Sequence, residues 1–211
     1  MKKAHIIHGW TGYPENNWFP WLKKKLEEIG YQVTIPSMPT PEAPKIETWV
    51  GKLKEVVEPG EDSILIGHSM GCQTILRYLE TLDDEKFKAV YLVAGFVYLT
   101  DAAYEDENDE KIAGPWNNTP LNWEKIKKHS DKFIAIFCEE DPVVEVANSK
   151  YFKEKLGAKI IIEHNKGHFD DAANVRELPV LLEEVKKSIG IRYIYISPSC
   201  FLFPRGCGLA W

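Results

Sequence analysis

Cysteine is scarce in this chain of 211 residues: there are four, Cys72, Cys138, Cys200 and Cys207, and no two form a C-x-x-C pair. That spacing excludes a zinc knuckle and a thioredoxin-type redox motif. Cys72 and Cys138 lie in apolar stretches and read as buried free thiols. Long hydrophobic runs are missing too. None approaches the roughly 20 apolar residues that a membrane span needs, so no membrane association is expected. The opening MKKAHIIHGW carries two lysines but too short an apolar run for a secretory signal, and the expected location is cytoplasmic. Without such a signal the sequon Asn117-Asn118-Thr119 carries little meaning. Internal repeats are absent as well. Positive charge is in deficit: 26 Lys and Arg stand against 32 Asp and Glu, a formal net charge of −6. Such a protein is repelled by phosphate, so nucleic acid is not an expected partner.

What remains is an ordinary globular balance, 44% hydrophobic and 27% charged, at a length that suits one domain with a sizeable core. Six short apolar or β-branched runs read as strands: 4–8, 31–35, 63–67, 89–94, 133–138 and 159–162. Most are continuously apolar, the pattern of strands buried on both faces of a parallel sheet. Helical spacing falls between them, over 18–29, 45–57, 71–82, 143–156 and 177–189. Strands alternating with helices predict a parallel sheet covered on both sides, and right-handed crossovers make an open doubly wound sheet the economical topology. Two segments break the rhythm. Residues 98–122 carry an acidic run and fit either a helical excursion over the sheet edge or a solvated loop. The tail, residues 191–211, is apolar, broken by Pro198 and Pro204, and follows a domain expected to span 1–190. It reads as an extension without a part in the chemistry, with a partner or membrane anchor as the alternative.

The strongest local signal is Gly67-His68-Ser69-Met70-Gly71. It matches G-x-S-x-G between a predicted strand and a predicted helix, the context that gives the motif its meaning. The chain must turn sharply there, which calls for glycine two positions before and after the serine. Ser69 is thereby expected at a helix N-terminus, where the dipole favours negative charge. A serine hydroxyl needs a base, and the base needs an orienting carboxylate. In this architecture they follow the serine in the order acid, then histidine. Past the run 133–138 come Glu139, Glu140 and Asp141; Asp141 is preferred because Pro142 fixes a loop exit, and the two glutamates stay open. Beyond Asp141 lie only His164 and His168. His168 follows Gly167 in a loop and is the expected base; His164 ends a strand. Their i, i+4 spacing suits a metal only on a helix, so none is expected. His8 and His68 are expected to border the site, while His5 and His129 read as ordinary. The Met70 amide is one expected oxyanion donor and the Trp10 amide, in the loop His8-Gly9-Trp10-Thr11-Gly12, the other. Trp10, Met38 and Trp116 are candidates for the pocket wall.

Several blocks now resemble one family, the small serine hydrolases grouped with retinoblastoma-binding protein 9 and the bacterial YdeN-type hydrolases. They are HIIHGWTG with NNWFPWLKKKL, IPSMPTPEAPKIETWV, GHSMGCQTILRYLE, EEDPVV and KGHF. The resemblance covers the chain up to about Gly190. It implies a compact α/β-hydrolase fold with a minimal cap, lacking the first two strands of the larger enzymes, with strand order 2-1-3-4-5-6. It carries Ser69, Asp141 and His168 into a triad by matching position. It implies hydrolysis of small carboxylic esters without a cofactor. A binding role for protein partners on a hydrolase scaffold is the alternative, as is thioester or amide cleavage by the same three residues.

Overall fold

The computed structural model describes residues 1–104 and 106–190; the expectation for the tail, residues 191–211, lies outside these. Six strands form one sheet: β1 (Lys2–Ile7), β2 (Tyr31–Thr34), β3 (Gly60–His68), β4 (Phe87–Val93), β5 (Phe133–Cys138) and β6 (Lys159–Glu163). All neighbours are parallel, and the order is β2-β1-β3-β4-β5-β6. The parallel sheet is the one that alternating strands and helices predicted, and its order is the one that the family resemblance implied. Chain direction across the sheet reverses between β1 and β3. Such a switch point opens a crevice at the carboxyl ends of the strands.

The continuous apolar runs resolve into two faces by the period of two. Ile6, Ile66, Tyr91 and Ile134 are neighbours in register and share one face. The helices α1 (Phe19–Glu28) and α7 (Pro179–Ser188) cover it with Phe19, Leu22, Leu26, Leu181 and Val185. Ile7, Leu65, Val90, Leu92 and Phe137 face the other way. There they meet α2 (Ile46–Val56), α3 (Met70–Leu79) and α6 (Ser149–Leu156). Each run is therefore apolar throughout because both faces are dry. The exceptions are the two edge strands, where Gln32 of β2 and Ile162 of β6 are exposed. Every residue of α3 is buried. It lies between the sheet and its neighbouring helices, which explains an apolar face wider than the spacing of Ile75, Leu76 and Leu79 suggests.

The excursion after β4 is helical. A short 3-10 turn at Asp101–Ala103 leads to α4 (Glu107–Asn118). The acidic run finds its use here. The Asp106 side chain accepts from the Asn108 and Asp109 N–H groups, and Glu107, Asp109 and Glu110 occupy the first turn, where the helix dipole favours them. At the other end Arg77 donates to the Trp116 carbonyl at 2.9 Å and the Thr119 carbonyl at 3.0 Å. A buried guanidinium thus satisfies carbonyls that the helix leaves open. The short helix α5 (Trp123–Lys127), N-capped by Asn122, has no counterpart among the predicted elements. It holds too few turns to show a period.

Arg77→Ala is expected to lower stability by about 2–3 kcal/mol, the worth of hydrogen bonds to a buried charged group, and to loosen α4 first. Urea unfolding with hydrogen exchange across residues 107–118 checks this; uniform protection across α4 in the variant would contradict it.

Candidate active site

The turn from β3 to α3 is dictated by close approach. A side chain on Gly71 would overlap the carbonyl oxygen of Ile7, and a Cβ on Gly67 would come within 2.8 Å of the Cys72 nitrogen. Ser69, between them, takes φ 51° and ψ −118°, a conformation that L residues avoid. Its N–H donates to the Val93 carbonyl at 2.9 Å, and its carbonyl accepts from the Cys72 N–H at 2.8 Å. Ser69 is therefore held at the mouth of the sheet, one residue before the N-terminus of α3, by bonds that do not involve its hydroxyl.

The loop after β1 is anchored by His8. The His8 Nε2 accepts from the Met38 N–H at 3.1 Å, so the ring's Nδ1–H donates to the Gly9 carbonyl at 2.8 Å. Burial pushes the His8 pKa down, which keeps this neutral form. The Thr11 N–H adds a bond to the Pro41 carbonyl at 2.8 Å. Trp10 sits between these anchors.

After β5 the Asp141 carboxylate is almost wholly enclosed, its side chain 1% exposed. Its Oδ1 accepts from the Val143 and Val144 N–H groups at 2.8 and 2.9 Å. The same carboxylate meets the His168 Nδ1 at 2.9 and 3.1 Å. The backbone donors fix the carboxylate, which leaves it to orient the ring. Glu139 and Glu140 do not reach this position. They lie at the surface beside His164, at 3.0 and 3.7 Å from its Nδ1. The alternative acids thus pair with the alternative histidine. These three are also the side chains, among the described residues, grouped closely enough to share a metal ion, and all are exposed.

His68 precedes Ser69 and is buried against Trp18 and Phe19. Its Nε2 meets the His168 carbonyl at 2.7 Å and must donate to it. Burial pushes its pKa down to about 3, with the neighbouring His168 adding to the shift. Protonation would place a second N–H on Nδ1, which has no hydrogen-bond partner. His5, read as ordinary, is pushed down to about 4 by burial, chiefly.

Ser69, Met70, Trp10 and His168 line one cleft of about 320 Å³, with Phe96, Leu99, Ala103 and Val143 among its walls. A second lobe of about 270 Å³ also reaches Ser69 and His168, and Asn16, Asn17 and Asp171 line it. Of the candidate wall residues, Trp10 takes that place. Met38 is core and reaches the site only through its bond to His8. Trp116 packs on Trp49 and borders a separate cavity between α2 and α4. Sequence reasoning passed over Asn16, Asn17 and Trp18. The signal it had was a pair of polar residues between a glycine loop and an amphipathic helix, and their partners lie some 150 residues away in the chain.

Residues 4–187 match the serine hydrolase family. The chain belongs to that family. The hydrolase is 31% identical to the YdeN protein of Bacillus subtilis over 184 residues, 86% of this chain and 93% of that one. It is 30% identical to the serine hydrolase RBBP9 of Rattus norvegicus over 172 residues, 80% and 88% of the two chains. The crystal structure of the B. subtilis ydeN product superposes with a TM-score of 0.79 at 27% identity, covering 90% of this chain and all of that one. Est1E of Butyrivibrio proteoclasticus shares the fold, with a TM-score of 0.67 at 16% identity over 90% of this chain and 88% of Est1E. No helix among the described residues is long and apolar enough to cross a membrane.

The buried neutral histidines set a direction for acid sensitivity. His5 and His68 have folded pKa values below the unfolded 6.5, so the unfolded chain binds more protons between about pH 4 and 6.5. Their contribution to stability is fully present above pH 6.5 and is lost as pH falls, by up to about 1.4 kcal/mol per pH unit for each ring. Urea unfolding at pH 7.5 and 5.0 should give the lower midpoint at pH 5.0. His68→Gln, which keeps a donor and removes the titration, should narrow the gap; an unchanged gap would mean that His68 does not contribute.

Proposed function

We propose that the hydrolase cleaves small carboxylic esters by acyl transfer through Ser69, His168 and Asp141. The observation that carries this reading is the His168–Asp141 contact at 2.9 Å, with His168 lining the same cleft as Ser69. Asp141 holds the proton on Nδ1 and leaves Nε2 to accept the Ser69 proton as the hydroxyl attacks the ester carbonyl. The amides of Met70 and Trp10 serve as oxyanion donors, with the α3 dipole adding to them. His168 then gives its proton to the departing alcohol. In the second half it takes a proton from the water that attacks the acyl carbonyl, and returns it to the Ser69 Oγ as the bond from Oγ to the acyl carbon breaks and the acid leaves. Every proton is carried by these side chains, and the chemistry calls for no cofactor.

Phe96, Leu99, Ala102, Ala103 and Val143 supply apolar surface for the acyl group in the cleft of about 320 Å³. Part of this wall, Ala102, Ala103 and Asp109, comes from the excursion after β4, which serves as the minimal cap.

A fluorophosphonate probe is expected to label the wild-type chain, and Ser69→Ala and His168→Ala are expected to abolish labelling. On a p-nitrophenyl ester of a short acid, Asp141→Asn should lower kcat on the order of 10³–10⁴-fold, whereas Glu139→Gln should keep the wild-type rate. Full activity in Ser69→Ala would sink the proposal. Matching thioester and amide substrates in the same assay show which carbonyl the cleft prefers.

A further inference from the structure

The loop that carries His168 is unusual in its backbone. Asn165, Gly167, Phe169 and Asn174 all have φ between 48° and 56°. For a residue as bulky as Phe169 this is an outlier. Such conformations persist where surrounding contacts over-determine them, and they gather at functional sites. The loop's internal bonds, Phe169 N–H to the Lys166 carbonyl at 2.9 Å and Val175 N–H to the Asp170 carbonyl at 2.9 Å, curl it. They do not place it against Ser69.

Other bonds do. The His68 ring donates to the His168 carbonyl at 2.7 Å. The Trp18 indole N–H donates to the Phe169 carbonyl at 3.1 Å. Asn17 and Asp171 exchange a reciprocal pair: the Asn17 N–H donates to the Asp171 Oδ1 at 2.8 Å, and the Asp171 N–H donates to the Asn17 Oδ1 at 2.9 Å. The Asn16 side-chain amide adds a bond to the Asp171 Oδ2 at 3.0 Å. Burial would raise the Asp171 pKa, but these donors and Arg176 hold it below the usual range, so the acceptor stays charged. Residues 168, 169 and 171 are thus grasped in turn. The donors come from two places, the residue before Ser69 and the segment 16–18 that follows the Trp10 loop. Asp141 holds the ring of His168; this second set holds its backbone.

We infer that Asn16, Asn17, Trp18, His68 and Asp171 form a clamp that sets the distance between the proposed base and nucleophile, and that they are positioning residues of the reaction. The inference rests on the triad reading above. Its physical basis is that reacting atoms must approach closely, and a displacement of about 1 Å costs up to about 100-fold in rate.

The test compares Asp171→Ala, which removes the acceptor, with Asp171→Asn, which keeps one, and with Trp18→Phe. Three readouts apply: the fluorophosphonate labelling rate, kcat and KM on a p-nitrophenyl ester, and the low-field proton NMR signal of the His168 Nδ1–H. The last needs no turnover. Asp171→Ala should lower labelling rate and kcat about 10- to 100-fold with KM within about twofold, and should weaken the low-field signal. Asp171→Asn should recover most of both, and Trp18→Phe should fall between. If Asp171→Ala does not fold, Asn17→Gly keeps the left-handed backbone that Asn17 adopts (φ 56°) and removes the side-chain acceptor, and the same losses are expected. A folded Asp171→Ala or Asn17→Gly with wild-type labelling and an unchanged signal, differing only in Tm, overturns the clamp. A wild type that resists the probe yet shows a low-field signal lost in Asp171→Ala upholds the clamp and refutes the esterase reading instead.

Discussion

At the centre of the molecule, α3 begins where β3 ends, and its second residue presses on the carbonyls of Ile7 and His8. That approach is possible only because residue 71 has no side chain. Much else follows from it. The helix lies flat enough on the sheet to be buried along its whole length. Ser69 is forced into a positive φ, and its backbone is spent on bonds to β4 and to the next turn of chain. The hydroxyl is then the part of Ser69 left to face the cleft. A larger residue at 71 would lift the helix from the sheet and disturb the core and the site together.

The elements around this turn are fixed by groups that hold no charge change near neutral pH. His8 and His68 are neutral rings, His8 with both nitrogens committed to backbone groups and His68 with one. Burial is what makes them dependable anchors, because it removes the protonated form from the accessible range. The same burial makes them a liability in acid. His168 differs in kind. Its side chain is partly exposed at 13%, and its Nδ1 meets a carboxylate rather than a carbonyl. Among three histidines close in space, environment alone separates the anchors from the proposed base.

The excursion after β4 shows how a composition signal can mislead. Six acidic side chains over residues 101–110 suggested a solvated loop as readily as a helix. The structure uses three of them in the first turn of α4 and a fourth as its N-cap. The positive end of a helix is a sink for such charge, and Arg77 from α3 closes the opposite end. A surface feature and a buried one thus stabilise a single helix that walls the cleft.

Read alone, the sequence determined the strands, their burial on two faces, the sharp turn at Ser69 and the chain order of the acid and the histidine. These are local matters of periodicity, glycine spacing and loop composition. Tertiary structure decided the rest. Asp141, Glu139 and Glu140 are neighbours in the chain, and only the fold turns one inward to His168 and two outward to His164. Trp10 and Trp116 look alike as candidates, yet one lines the cleft and the other packs on Trp49. The bonds from Asn17 and Trp18 to the His168 loop span about 150 residues of chain. The period of a helix or strand records which face is dry within about ten residues, and it holds no record of which distant loop will meet that face.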